Sequence, residues 1–383
     1  MRERGRTALL LPSGATLISI LLALWGCPDA AVVRNTLVAM KHFPKYFLYV
    51  ATTTDYVSAY TIDSSTGALS AISGEPFAAG TNPHGIAVYP TGKFVYVANV
   101  SSASVYAFAA SSITGALSSV NGSPYAARTY LQGIAVDPRG KFVYAANYGG
   151  ASVSAYTIDS STGALSAVSG SPFATATNPH GIAVDPWGKF VYVANYGSDS
   201  VSAYTIDSST GALSAVSGSP FAAHSNPHGI AVDPKGKYVY VSNVRSNNVS
   251  AYKIDSSTGG LSEVTGSPFV AGSFPIGIAI DPTGSFVYVS NNGSINISAY
   301  MIDSSTGALS AVSGSPFAAG SSPAGIAVDP TGKFVYVANW GSANVSAYAI
   351  NSITGSLSEV SGSPFTVGVG KPWGVAIAAV AGP

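Results

Sequence analysis

Seven times along this 383-residue chain a residue of changing type stands just before the glycine of a short apolar run, as in NPHGIAV. In chain order the changing residue is His84, Gln132, His180, His228, Ile276, Ala324 and Trp373. A second changing position follows each YVAN-like run and reads Val100, Tyr148, Tyr196, Val244, Asn292 and Trp340. Charges that occur in single copies lie nearby: Arg128, Asp199, His224 and Arg245. Imidazole moves a proton near neutral pH, and guanidinium holds an oxyanion or a phosphate. If the fold gathers these groups, they make a mouth for a small anionic or sugar-like ligand. The candidate catalytic pair is His180 and His228. The candidate ligand contacts are these two with His84, Arg128, Gln132, Tyr148, Tyr196, Asp199, His224, Arg245, Trp340 and Trp373. The same pattern also has a structural reading. NPHG occurs three times, and a default histidine can simply hydrogen-bond a neighbouring loop. No HxH, HxxxH or CxxC spacing is present, nor an EF-hand loop, GxSxG elbow, P-loop or GxGxxG, so neither a metal nor a cofactor is expected.

The elements that must position these residues follow from a repeat. Asn99, Asn147, Asn195, Asn243, Asn291 and Asn339 each close a YVAN-like run, 48 residues apart, and a degenerate copy, Tyr46 to Thr52, precedes them. A period of this length suits one four-stranded propeller blade. Within a period, GIAV is a short strand and DPWGK a tight turn with Asp, Pro and Gly at their usual places. KFVYVAN is apolar on both faces, VSAYTID is a third strand, SSTG turns the chain, and ALSAVSGSPF reads as a fourth strand. Polarity grows along the series, as for a blade running from a crowded axis to a wet rim. The turn aspartates recur with turn residues and read as structural. The first copy lacks the opening GIAV-type strand, and the final KPWGVAIAAVAGP supplies only that strand. Complementary ends predict a closed ring. The fold class is all-β, a seven-bladed β-propeller of four-stranded blades of about 48 residues, closed by the C-terminal strand completing the first blade. With strand one innermost, the changing positions share the face around one channel mouth, and the DPxGK and DSSTG turns share the other.

Composition sets the outer bounds. Hydrophobic residues make up 47% and charged residues only 9%, with zero net charge, so no basic surface invites nucleic acid. The first thirty residues differ: MRERGR is basic, TLISILLALW is apolar, and both read as an export signal. The only cysteine, Cys27, follows LWG and resembles a lipoprotein cleavage box; cleavage around Ala30–Ala31 and an uncleaved anchor are the alternatives. The domains are therefore an export signal over 1–30, a linker over 31–45 and the propeller over 46–383. The mature domain has no disulfide and is expected to be a monomer that meets the membrane only through its leader or lipid. It would work in the periplasm, on the cell surface or as a secreted protein.

The run NPHGIAVDPWGKFVYVANYGSDSVSAYTID resembles the lactonase-type seven-bladed propellers, the group related to 6-phosphogluconolactonase and carboxymuconate cyclase. It is also similar to the YVTN-repeat proteins of cell surfaces, and the resemblance extends over the chain from about Tyr46. It implies a functional histidine at His180, followed by the turn Asn195–Tyr196–Gly197 with Asp199. In the next blade it implies an arginine before strand one and a glutamate after strand two. The matching positions hold His228 and Val244, with Arg245 beside the latter, so the carry-over holds at His180 and ends at the carboxylate. The acids on this face are Asp55 and Asp199. The resemblance thus leaves two expectations. One is an exported binding or surface-interaction module that takes a small ligand or a surface protein. The alternative is a lactone hydrolase using His180 and His228 as base and electrostatic stabiliser, with Arg128 or Arg245 on the carbonyl oxygen or a phosphate.

Overall fold

The FVYVAN runs carry apolar side chains on both faces, which only a strand sandwiched between two sheets can bury. In the computed structural model, which describes residues 44–381, all six residues of Phe190–Asn195 are buried, as are their counterparts in every complete repeat. This strand pairs antiparallel with Pro179–Val184 on its axial side and Ser200–Ile206 on its outer side. The same sheet recurs seven times within the unit Lys45–Val380. The first thirty residues, Cys27 and nearly all of the 31–45 linker lie outside the described residues.

Two expectations need correction. The predicted single fourth strand is two short pieces, Leu213–Ala215 and Phe221–Ala222, which pair with opposite ends of Ser200–Ile206. Between them Gly218 takes a φ of 84° and Ser219–Pro220 is a cis peptide, a geometry that recurs in all seven blades. Proline offers no N–H to the ladder; instead Ser219 Oγ accepts a hydrogen bond from Ala203 N across the gap. The burial gradient also peaks one strand later than expected. The second strand is the driest element, whereas the innermost strand keeps half-buried residues that face the central channel.

Neighbouring blades are joined by apolar packing and by one repeated hydrogen bond. Phe190 and Tyr192 pack with Val239 and Val241 of the next blade. The buried Tyr192 hydroxyl donates to Gly259 O at 3.1 Å in that blade's DSSTG turn. The equivalent bond forms at every blade junction, and the seventh, Tyr336 to Gly67, spans 269 residues to close the circle. The turn aspartates are held by local amides: Asp63 Oδ1 accepts from Ser65 N, Ser65 Oγ and Thr66 N. Those bonds draw its carboxyl down to about 2.

The complementary ends do meet. Pro372–Val380 pairs antiparallel with Lys45–Thr52, with Lys45 opposite Val380. Leu48 and Val50 of this composite blade pack against Phe334 and Tyr336 of the last complete one.

Candidate functional site

Seven innermost strands converge on the axis, and the glycine after each changing residue is there because nothing larger fits. A Cβ on Gly181 would overlap the carbonyl oxygen of His228, and one on Gly133 would overlap that of His180. The relation passes round the circle until Gly374 meets His84 O. A register shift between Pro179 and Ile182 interrupts the pairing with the second strand, and it recurs in all six complete blades. Bulges of this kind re-aim side chains. Here the shift falls on the changing residue and its glycine. His84, Gln132, His180, His228, Ile276 and Trp373 line one axial cavity of about 230 Å³. Ala324 is fully buried and stays out of it.

The side chains in and beside the cavity form two clusters. In one, the indole of Trp373 stacks on His84 with centroids 4.7 Å apart and planes 22° apart. His84 Nδ1 lies 2.8 Å from Gln132 Oε1. With the amide oxygen as acceptor, Nδ1 carries the proton and Nε2 remains an acceptor. In the other, the rings of His180 and His228 lie 3.5 Å apart at 33°. Tyr148 stands edge-on to His180 at 6.2 Å. Tyr196 is 6.4 Å from His180 and 6.5 Å from His228.

All three imidazoles are pushed toward the neutral form. Burial lowers His84 to about 4, only partly offset by its bond to Gln132. Burial likewise lowers His228 to about 3, helped by the nearby His84 and opposed by the Ile276 backbone. His180 is driven well below the ordinary histidine range by burial and by its two histidine neighbours. Each of the three residues lines the channel. Two cationic imidazoles at 3.5 Å would repel strongly. At neutral pH the mouth is therefore an uncharged array of donors and acceptors.

The remaining sequence candidates lie elsewhere. Arg128, Asp199 and Arg245 are exposed on the loops, His224 is half-buried, and none of the four lines the cavity. Asp199 adopts a left-handed φ of 49° and accepts from Asn226 N at 2.8 Å. Asp55 does the same for Asn82 N, so both acids of this face brace loops. Val244, where the resemblance implies a glutamate, is buried. Trp340 pairs with a cation that sequence reasoning missed: Lys371 Nζ sits 4.0 Å above its ring. The signal was a lone lysine before PWG, at a place where three other copies have asparagine. Also missed is a collar of isoleucines, among them Ile86, Ile182 and Ile326, which lines the same cavity. GIAV reads as core, and only the ring places its isoleucines on a channel.

A closed ring of seven blades with its polar chemistry gathered at one axial mouth defines a seven-bladed β-propeller with a candidate ligand site. The family model described as Lactonase, 7-bladed beta-propeller matches residues 47–375, and the chain belongs to that family. A Bacteroides uniformis protein named as a candidate 6-phosphogluconolactonase is 22% identical with a TM-score of 0.76, over 87% of this chain and 99% of its own. The Pseudomonas aeruginosa periplasmic gluconolactonase is 20% identical with a TM-score of 0.74, over 88% of this chain and 100% of its own. Kuenenia stuttgartiensis hydrazine synthase also shares the architecture, at 20% identity and a TM-score of 0.59, over 80% of this chain and 97% of its own. At these identities the likeness is one of fold, and a fold of this kind carries several chemistries. No curated protein matches the chain.

Proposed function

We propose that the protein is an exported binding propeller that takes a small sugar-like molecule, a lactone ring included, at its histidine-lined mouth. The observation that carries this reading is the uncharged His84–Gln132 and His180–His228 array inside a cavity of about 230 Å³ that, among the described residues, is lined by no carboxylate. Neutral imidazoles and an amide offer both donors and acceptors, which suits hydroxyls and ring oxygens better than a formal anion. The cavity is smaller than the roughly 300–1,000 Å³ of drug-sized sites, which limits the occupant to about one ring. Arg128 and Arg245, the groups expected to hold an anion, are exposed and outside the lining. Export is supported by the basic and apolar leader.

Lactone hydrolysis is the second reading, supported by family membership and by imidazoles that are already neutral. In that reaction His180 or His228 would take a proton from water as the water oxygen attacks the lactone carbonyl. The other ring would donate an N–H to the developing oxyanion, and the imidazolium would pass its proton to the ring oxygen as the lactone C–O bond breaks. The difficulty is that an imidazolium would form 3.5 Å from a second imidazole with no carboxylate to balance it. The test is a panel of small sugar lactones, followed for both binding heat and hydrolysis, with the double variant His180→Ala/His228→Ala in parallel. Saturable binding without turnover, lost in the variant, is the expected outcome. Turnover well above background that the variant loses would make the second reading correct. Neither binding nor turnover would remove both.

A further inference from the structure

The face opposite the histidine mouth is built from turns that repeat almost without change, and in one place the repetition breaks. In the third blade, Arg139 closes the groove between its own DPxGK turn and the next blade. Its Nε donates to Asp137 Oδ2 at 3.0 Å and its Nη2 to Gly188 O at 2.6 Å. Lys141 Nζ reaches Ser208 O at 3.4 Å. In the sixth and seventh blades, Thr283 and Thr331 turn their hydroxyls onto the matching oxygens of Asp281 and Asp329. The fourth blade has Trp187 at this position. Its indole is 62% exposed, and the groove beside it opens into a cavity of about 360 Å³ lined by Asp185, Trp187, Lys189, Phe190, Gly236 and Ser256.

The lining has the parts of a ligand site. Asp185 is only 2% exposed. Its Oδ1 is occupied by the amides of Lys189 and Phe190. Its Oδ2 receives only a 3.2 Å bond from Trp187 N, although a carboxylate oxygen accepts two. Asp233 has a similar unfilled oxygen, but there the changing residue is Lys235, which offers no flat surface. Among the described residues Lys189 Nζ makes no hydrogen bond, unlike Lys141. A buried acceptor, a free ammonium, the Ser256 hydroxyl and an exposed indole thus border one concavity.

We propose that this groove is a second ligand site, independent of the histidine mouth, and that it takes a neutral pyranose ring. The C–H face of the sugar lies on the Trp187 indole, whose π-face is electron-rich. One ring hydroxyl donates to Asp185 Oδ2, and another accepts from Lys189 Nζ. One carboxylate and one ammonium leave the site without net charge, which fits an uncharged sugar.

The test uses the full chain labelled with 5-fluorotryptophan and titrated with methyl β-D-glucopyranoside, followed by fluorine NMR. The chain has four tryptophans, and the resonance missing from Trp187→Thr assigns the relevant one. That variant is expected to fold, because threonine already stands at this position in the sixth and seventh blades. The expected result is a saturable shift of the Trp187 signal in the millimolar range. His180→Ala/His228→Ala should leave that shift in place. By calorimetry in the His180→Ala/His228→Ala background, binding should be lost on adding Trp187→Thr and retained on adding Trp187→Tyr. No shift, a shift that grows linearly and equally at all tryptophans, or unchanged calorimetric binding on adding Trp187→Thr to that background would each overturn the proposal.

Discussion

His180 and His228 illustrate how little room a single residue has at the axis. Each is fixed by a glycine on its own strand and by the carbonyl of the neighbouring one, and the two rings face each other at 3.5 Å. Their lowered pKa values make folding sensitive to acid. The unfolded chain binds protons at these groups below the ordinary histidine value of about 6.5, while the folded chain resists down to about 4 at His84 and about 3 at His228. Stability is therefore unaffected above pH 6.5 and falls as the pH drops from there toward the folded values, by at most about 1.4 kcal/mol per pH unit for each proton of difference. Chemical unfolding from pH 7.5 to 4.5 should show this slope, and His84→Gln/His180→Gln/His228→Gln should flatten it. The exposed Asp63 and Asp207, held near 2 by the Ser65 and Ser209 hydroxyls and then by their turn amides, lose their contribution only below about 3.8, outside that window. At this scale the sequence was partly legible. Six of the seven changing residues proved to share a cavity because they hold one repeat position. Arg128, Asp199, His224 and Arg245 did not join them, since a loop residue's distance from the axis is invisible in a linear string.

The blade's second and fourth positions show what a strand must do to serve two neighbours. The second strand spends both faces on packing and sends a tyrosine hydroxyl sideways to the next blade. Tyr336→Phe would leave Gly67 O without that donor at the closing junction, at a cost of about 1–3 kcal/mol. A drop in urea midpoint with an unchanged slope would be the signature. Gly181→Ala would push a methyl group into His228 O and cost roughly 1–3 kcal/mol by overpacking. It should also weaken ligand binding at the mouth, because His228 must move. A Gly181→Ala chain with wild-type stability would contradict the crowding seen at the axis. Short apolar runs and the turn residues between them were enough to locate the first three strands. The outer one was misread as continuous because SGSPF keeps the apolar spacing of a strand, and only tertiary pairing reveals that its two halves bind different ends of the third strand.

For the whole molecule, the decisive contact joins Lys45–Thr52 to Pro372–Val380. A chain truncated after Pro372 would lose the innermost strand of the composite blade and expose the adjacent faces of two others. We expect it to lose cooperative unfolding, as followed by the near-ultraviolet signal of its buried tyrosines; a sharp native-like melt would show that the ring does not depend on this strand. The architecture was legible at this scale because the unmatched ends complement each other, a property of the sequence alone.

That seam has a further consequence. Leu48 lies opposite Ile377, just as Val191 lies opposite Val184 across the DPWGK turn of the fourth blade, and the pairing here runs three residues further, to Lys45 and Val380. The present first and last strands thus occupy the two arms of an ordinary hairpin that lacks only its turn. A circularly permuted gene should join Val380 to Lys45 through an inserted Asp-Pro-Thr-Gly and open the chain at one of the exposed DSSTG turns. Its product should close into the same ring. In such a molecule the place where translation begins is arbitrary, and a new domain could be attached at any of the blades.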